Sequence, residues 1–512
     1  MTKVLILYPN LPLMMSPPLS VALFTRICRD AEVDVKLFET THYADTEYNA
    51  QTNKEKFGAG RKVKNYQDAF EEVKPTSQAI PDLVKLVDEY NPDLILLSLV
   101  EDTFFDGVRM LEAIQHKNIP HVVGGVFPIN APHECLRPDV IDCISRYEGE
   151  YVVRDVVERV KSNQSFKDVK GLWWSDGTKN EPQHLVDVNE YLPDYSLFSS
   201  KRFYRPIGGQ ARKTVQLETY RGCPYSCTFC NSPTTRLMDR NFLRRKSLDT
   251  VRREMYNLCD DLQTEYWFVI DDSFTARPRK ELFSLLELFE EVGLPWWCNT
   301  RLDDVDEEIL SAMKQAHCDR IQFGVESGNE QYRMDVLKRR VKQEVYLNKA
   351  DIINKSGIPY GLNAIIGMPN ETKDMVLETA KLCKDIGGYD GLGVSIFIPY
   401  WGTGLRDVAV SEGYLSYDHI GSGGLQDEPL LDMPGPYLSK EETIDLSKKF
   451  KYYCFFDVKY WDMIDKAENL DWLEKIYQQE FFQSSTAVDG VTKIKERKRS
   501  PYACAADPYV EF

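Results

Sequence analysis

From the N-terminus, short apolar runs alternate with longer amphipathic stretches. The runs "KVLILY", "VDVKLFETT", "PDLILLSLV" and "IPHVVGG" are rich in β-branched and aliphatic residues, whereas "PPLSVALFTRICRDA", "IPDLVKLVDEYN" and "GVRMLEAIQHKN" repeat apolar residues at helical spacing. Buried strands separated by amphipathic helices predict a doubly wound parallel sheet. Residues 166–205 break the pattern. They are polar and turn-rich, and read as a linker with a small hairpin around Asp176 and Gly177. Alternation then resumes with "TVQLETY", "YWFVIDDSF", "WWCNTRLD", "CDRIQFGVESG", "IPYGLNAIIGMPNE" and "GLGVSIFIPYWGT", interleaved with helical patterns such as "RKELFSLLELFEEVG" and "EEILSAMKQAH". This predicts a β/α barrel of about six strands. The remainder predicts a mainly helical region in which Tyr452, Phe456 and Tyr460 share one helical face, preceded by a Gly- and Pro-rich loop at 421–437 suited to a lid. The tail beyond Gln483 shows no period until "SPYACAADPYVEF", whose aromatics are suited to docking back. The fold class is therefore α/β, divided as 1–165, a linker at 166–205, a barrel at 206–405 and a helical or lid region at 406–512.

Length supports more than one core, because 512 residues exceed what a single hydrophobic core encloses. A formal charge of −17 repels the phosphate backbone, and the basic runs at Arg244 to Lys246 and Lys495 to Arg499 are short, so no nucleic-acid partner is expected. The opening "MTKVLILYPN" reads as a first strand rather than a leader or a membrane span. Twelve cysteines, mostly scattered singly, fit a reducing cytoplasm better than a disulfide framework.

Three of those cysteines are not scattered. "YRGCPYSCTFCNSP" places Cys223, Cys227 and Cys230 on one loop after a strand, where barrel enzymes keep their chemistry. Structural zinc wants four protein ligands, and no histidine lies between His184 and His317 to complete a local set. A 4Fe-4S cluster held by three thiolates keeps one iron open for a substrate or cofactor. Polar residues recur where each barrel strand ends: Asp271 and Asp272, Arg301, Glu326 and Ser327, Gly367 and Glu371. Singly, each reads as a helix cap or surface ion pair. Together they make one functional rim. In the first domain the strand-end residues include Ser98 to Thr103, the pair Gly124 and Gly125, and "YEGE" at Tyr147 to Glu150, either as ligand loops or as tight turns.

The spacing Cys-x-x-x-Cys-x-x-Cys, with Phe229 before the last cysteine, resembles the signature of radical S-adenosylmethionine enzymes, a resemblance that covers roughly 206–405. It implies one 4Fe-4S cluster on Cys223, Cys227 and Cys230, with S-adenosylmethionine chelating the fourth iron. It implies further that Asp271 and Asp272 lie near the methionine amino group, that Arg301, Glu326 and Ser327 serve the ribose and carboxylate, and that "GLNAIIGMPNE", with Ile366 and Gly367, packs on the adenine. Residues 65–160 in turn resemble the cobalamin-binding domain that precedes many such barrels, through "NPDLILLSLV", "VVGGVFP" and "RYEGE". The implied cobalamin contacts are Ser98, Glu101, Gly124, Gly125, Glu148, Gly149 and Glu150. Tyr147 departs from the family's Gly-Glu-Gly-Glu, and none of the seven histidines sits in an Asp-x-His-x-x-Gly motif, so no histidine is expected on cobalt.

The resemblance as a whole implies a cytoplasmic, cobalamin-dependent radical enzyme: a Rossmann-like cobalamin domain, a partial (β/α)6 TIM-type barrel and a helical C-terminal region. A 5'-deoxyadenosyl radical would take hydrogen from an unactivated carbon and methylcobalamin would deliver a methyl group. The implied partners are a small-molecule or natural-product substrate and an external electron donor such as flavodoxin or ferredoxin. Three rivals remain: a cyclase, rearrangement or dehydrogenation enzyme with the same cofactors; RNA methylthiolation, against which stand the acidic charge and the single cysteine cluster; and a non-catalytic metal module, which leaves the rim without a reason.

Overall fold

The computed structural model describes residues 1–12, 16–45, 72–207, 210–421 and 428–484. Residues 65–71 of the cobalamin-domain resemblance, part of the expected lid loop (422–427) and the tail at 485–512 lie outside the described residues.

The first sheet contains β1 (Lys3–Tyr8), β2 (Asp34–Glu39), β3 (Leu94–Ser98), β4 (His121–Gly124), β5 (Cys143–Ser145) and β6 (Leu172–Trp174), in the order β2-β1-β3-β4-β5-β6. The first five are parallel and β6 is antiparallel to β5. Alternate residues of β1 enter different cores, Val4 and Ile6 on one face and Leu5 and Leu7 on the other, as a strand buried on both faces requires. Helices Leu19–Asp30 and Glu150–Lys161 cover the first face, and Ala79–Tyr90 and Phe104–Ile114 the second. The chain leaves β1 for β2 and returns to β3 on the other side. The carboxyl ends of β1 and β3 therefore splay at a topological switch point, the place where open α/β sheets bind ligands.

The second sheet is reached through β7 (Tyr204–Ile207) and β8 (Gln210–Leu217). A short ladder of β9 (Tyr220–Arg221) with β10 (Arg244–Arg245) follows, and then β11 (Tyr266–Val269), β12 (Trp296–Thr300), β13 (Cys318–Glu326), β14 (Tyr360–Ile366) and β15 (Gly391–Ile396). Its order is β15-β14-β13-β12-β11-β8-β7, with six parallel strands and β7 antiparallel at the edge. Six parallel strands curl into a half-barrel. Trp267, Trp296, Phe323 and Leu362 point outward to the helices, whereas Tyr266, Phe268 and Trp297 line the inner face. The outward cluster is continuous with the first face of the first sheet, so the two sheets share one core.

Two elements differ from the sequence expectation. The stretch read as a linker contributes β6, whose Leu172 is fully buried against β5. Its brevity and flanking polar residues conceal it as an isolated pattern, and pairing with an existing sheet edge creates it. The C-terminal helix ends at Phe455, because Phe456 is extended and Asp457 caps a separate 3₁₀ turn over Val458–Tyr460. Tyr460 consequently does not share the helical face of Tyr452. Helix Lys440–Phe455 packs on helix Lys373–Ile386 and β15. No helix among the described residues is long and apolar enough to cross a membrane.

Candidate active site

The cysteine loop leaves β8 at a point fixed by Asp271. Fully buried, this carboxylate accepts the backbone N–H groups of Thr219 (2.7 Å) and Tyr220 (2.9 Å) and pairs with Arg277 at 2.5 Å. Gly222 then turns with φ +93°, where a Cβ would meet the Phe242 ring at 2.9 Å. The loop itself is pinned from three sides. Thr228 donates its N–H to Leu337 O and its hydroxyl to Val336 O, and its carbonyl accepts from Leu405 N. Arg236 donates to Cys223 O and Ser226 Oγ, and Tyr225 Oη donates to Asp304. Phe229 packs its ring on the main core.

Cys227 is buried, and Cys223 and Cys230 are partly exposed. Burial pushes the Cys223 thiol up to about 12 and that of Cys230 to about 11, and Asp272 adds to both. Three thiols on one loop with a carboxylate beside them form a site that favours a strongly positive group, which would hold the sulfurs as thiolates. Among the described residues no three His, Cys, Asp or Glu side chains converge on one point for a single metal ion. Three thiols on one short loop match the donor set of a 4Fe-4S cluster, one sulfur to each of three irons.

The rim divides by burial. Asp271 is saturated by the contacts above, so burial pushes its carboxyl up while Arg277 and the Thr219 donors pull it down. Its oxygens are thus engaged within the chain, where they hold the start of the cysteine loop. Asp272 is exposed, and its one hydrogen bond is accepted from Ser232 Oγ at 2.7 Å. Arg301 is bound to Asp303 at 2.8 Å and stacks 3.9 Å over the Tyr225 ring. Glu326 adopts φ +65°, which β-region side chains avoid, and folds back over Gly324, where a Cβ would lie 1.9 Å from its Oε1. Burial raises its carboxyl, with Arg339 and Arg301 opposing. The Ser327 hydroxyl is buried with no hydrogen-bond partner among the described residues. Ile366 is buried, and Gly367 (φ +75°) lies against Thr443, with Glu371 accepting its N–H at 2.7 Å.

The first-sheet residues also divide. Ser98 is buried at the end of β3. Glu101, expected as a cofactor contact, accepts the N–H groups of Trp401 and Gly421 at 2.9 Å and so ties β3 to the chain after β15. Gly125 (φ +113°) passes so close to Leu99 that a Cβ would sit 2.0 Å from its carbonyl oxygen; its glycine serves the chain itself. Gly124 has only Ser145 near its Cβ position, at 3.8 Å. Gly149 makes room for the Phe24 ring, 2.7 Å from where its Cβ would be. Glu148 and Glu150 are engaged by arginines. Arg221 reaches both, and Arg244 reaches Glu148, whose carboxyl is held below its usual range because the two guanidiniums outweigh burial. Arg221, Tyr225 and Arg339 carry no signal in the sequence, and Arg244 reads there only as part of a short basic run; their partners alone distinguish them from surface residues.

A cavity of about 430 Å³ lies between the two sheets. Leu23, Ile129 and Tyr147 line it from the strand ends of the first sheet, and Ser232, Phe242 and Asp272 from the cysteine-loop side. Apolar side chains interspersed with a few carboxylates are the usual make-up of an organic ligand site.

Residues 217–383 match the model of the Radical SAM superfamily. Cytidylyl-2-hydroxyethylphosphonate methyltransferase of Streptomyces wedmorensis is 25% identical over 72% of this chain and 76% of its own length. An anaerobic magnesium-protoporphyrin IX monomethyl ester cyclase of Rubrivivax gelatinosus is 23% identical over 81% and 70%. Among solved structures, the radical S-adenosylmethionine methyltransferase TsrM from Kitasatospora setae, determined with cobalamin and a [4Fe-4S] cluster bound, superposes with a TM-score of 0.60 at 15% identity, over 90% of this chain and 82% of that one. The cobalamin-dependent S-adenosylmethionine radical enzyme OxsB gives 0.57 at 18% identity, over 75% of this chain and 52% of that one. At these identities the structural likeness is one of fold.

Proposed function

We propose, from its membership of the radical SAM superfamily through residues 217–383, that this chain is an enzyme that methylates an unactivated carbon of a small organic molecule. It holds one 4Fe-4S cluster on Cys223, Cys227 and Cys230, S-adenosylmethionine at the open iron, and cobalamin at the carboxyl ends of the first sheet. The observation that carries the reading is the cavity: one wall is built from segments that follow β1, β4 and β5 of the doubly wound sheet, and the other includes Gly222, Asn231 and Ser232, which flank the three cysteines. When bound, these groups supply reductive cleavage of S-adenosylmethionine, hydrogen abstraction and methyl delivery. The methyltransferase relative and the TsrM fold support this reading over the cyclase relative's chemistry.

The chain's own work is positioning. Asp272 faces the cavity beside the thiols as an acceptor for an amino group. Arg301 and Arg339 flank Glu326 as a charge-balanced set for a carboxylate and ribose hydroxyls. Ser327 offers the one buried hydroxyl of that rim without a partner among the described residues. Asp271, Thr228 and Arg236 hold the loop's backbone in place. An external flavodoxin- or ferredoxin-type donor and a cytoplasmic setting complete the proposal.

The test is an anaerobic reconstitution followed by turnover with candidate substrates. Each of Cys223→Ala, Cys227→Ala and Cys230→Ala should lose the cluster's iron and visible absorption, whereas Cys259→Ala should retain them. Full iron in Cys227→Ala rejects the cluster assignment. Methylation requires 5'-deoxyadenosine and S-adenosylhomocysteine to accumulate together; 5'-deoxyadenosine alone would transfer the proposal to ring formation, rearrangement or dehydrogenation.

A further inference from the structure

Arg221 and Arg244 are direct partners across the β9–β10 ladder, and the chain between them carries all three cysteines and helix Ser232–Met238. Like charges facing one another on adjacent strands repel, and water screens these poorly, since only 16% of each side chain is exposed. A third group reconciles them. Glu148, from the loop after β5, accepts Arg221 Nη1 at 3.1 Å and Arg244 Nη1 at 2.8 Å, and also pairs with Arg244 Nη2. Arg221 has further carboxylates in Glu150 (2.8 Å) and Glu218 (2.9 Å). For Arg244 the other acceptors are the carbonyls of Phe242 and Val186, so Glu148 is its only carboxylate partner among the described residues.

We infer that Glu148 is a positioning residue that clamps the base of the cysteine loop onto the first sheet. Cross-strand partners at the neck of an excursion control how its two strands meet, and here one carboxylate of the other sheet bridges both. Glu148 and Arg221 stand in the cavity wall itself. The clamp thus sets the separation between the cysteines and the strand ends opposite. The family resemblance assigned Glu148 to cobalamin; in this chain its two oxygens are taken up by Arg221, Arg244 and the N–H of Val186 (3.0 Å). The clamp is read from geometry alone, and only its catalytic consequence rests on the proposed function.

The experiment compares Glu148→Gln, Arg244→Gln and the double variant in the full chain. Before cluster loading, hydrogen exchange of residues 220–246 is followed by mass spectrometry. Glu148→Gln leaves two facing, buried guanidiniums and strands Arg244, so exchange there should accelerate about tenfold or more. Arg244→Gln removes the repulsion while Glu148 keeps Arg221, and should have a smaller effect. The double variant should resemble Arg244→Gln and exchange more slowly than Glu148→Gln alone, a non-additivity that a residue acting on cobalamin does not produce. After loading, Glu148→Gln should lower the ratio of S-adenosylhomocysteine to 5'-deoxyadenosine, and the double variant should recover part of it. A double variant as mobile as Glu148→Gln, or more so, overturns the clamp. If Glu148→Gln fails to fold, Arg244→Glu serves instead: it sets a carboxylate against Glu148 and should exchange faster than Arg244→Gln, and equal rates overturn the clamp. Wild-type protein that makes no S-adenosylhomocysteine rejects the proposed methylation and leaves the exchange comparison intact.

Discussion

Asp271 and Asp272 are adjacent and chemically identical, and the structure assigns them opposite work, so replacing each by asparagine separates the two roles. Asp271→Asn removes the charge facing Arg277 in a pair whose side chains are 0% and 4% exposed, and turns an amide NH₂ toward donors that need an acceptor. Breaking one side of a buried, hydrogen-bonded pair costs about 3–5 kcal/mol. Asparagine keeps one oxygen for the N–H groups of Thr219 and Tyr220, which the Asp271 Oδ1 serves alone, and Arg277 keeps Phe274 O at 2.8 Å. The lower end, about 3 kcal/mol, is therefore expected. Asp272→Asn loses at most a charge-assisted bond to Ser232 on an exposed side chain, about 0.5 kcal/mol. Guanidinium unfolding of the cluster-free chain, followed by tryptophan fluorescence, measures both, with Trp267 on the strand that leads into Asp271. Asp271→Asn should shift the midpoint strongly and Asp272→Asn hardly at all, while S-adenosylmethionine binding to the reconstituted protein should weaken in Asp272→Asn. Equal midpoints for the two variants would refute the reasoning, because they would show that Asp271 carries no more of the loop than its exposed neighbour.

Burial pushes Glu371 up to about 8; its Oε2 accepts both Gly367 N and Met368 N, and its Oε1 has no partner among the described residues. A carboxyl raised in the folded state contributes stability that is complete below the unfolded pKa and is lost as pH rises toward the folded one, at about 1.4 kcal/mol per unit. Glu371→Gln should match wild type near pH 5 and be the more stable at pH 8, and parallel stability curves for the two proteins from pH 5 to 8 would count against that ionisation. Gly367→Ala should cost about 1–3 kcal/mol, since φ is +75° and the new Cβ would lie 2.8 Å from Thr443 Cγ2. Adding Thr443→Ser removes that methyl and should return only the steric part in thermal melts; full recovery would mean that the backbone conformation carries no strain.

Much of the architecture was legible in local pattern. The continuous apolar runs in "KVLILY" and "LILLS" marked strands buried on both faces, because successive side chains of a strand point to opposite faces. The spacing of Cys223, Cys227 and Cys230 likewise carried its chemistry on the chain, since a short loop confines three thiols whatever surrounds it. What the sequence alone could not decide is which polar residues are spent on structure. Asp271 and Glu101 looked like site residues because they follow strands, yet their oxygens are used by Thr219, Tyr220, Trp401 and Gly421. Those partners are distant along the chain and meet only when strand ends converge. Arg221 had no signal, and Arg244 read only as part of a short basic run, for the same reason: their cross-strand pairing and their capture by Glu148 exist only once the two sheets are docked. Local sequence determines which face a side chain takes, because that depends on neighbouring dihedral angles. Tertiary structure decides whether a charge on that face meets a partner or a cavity, because electrostatic environment is set by groups that the chain brings together from far apart.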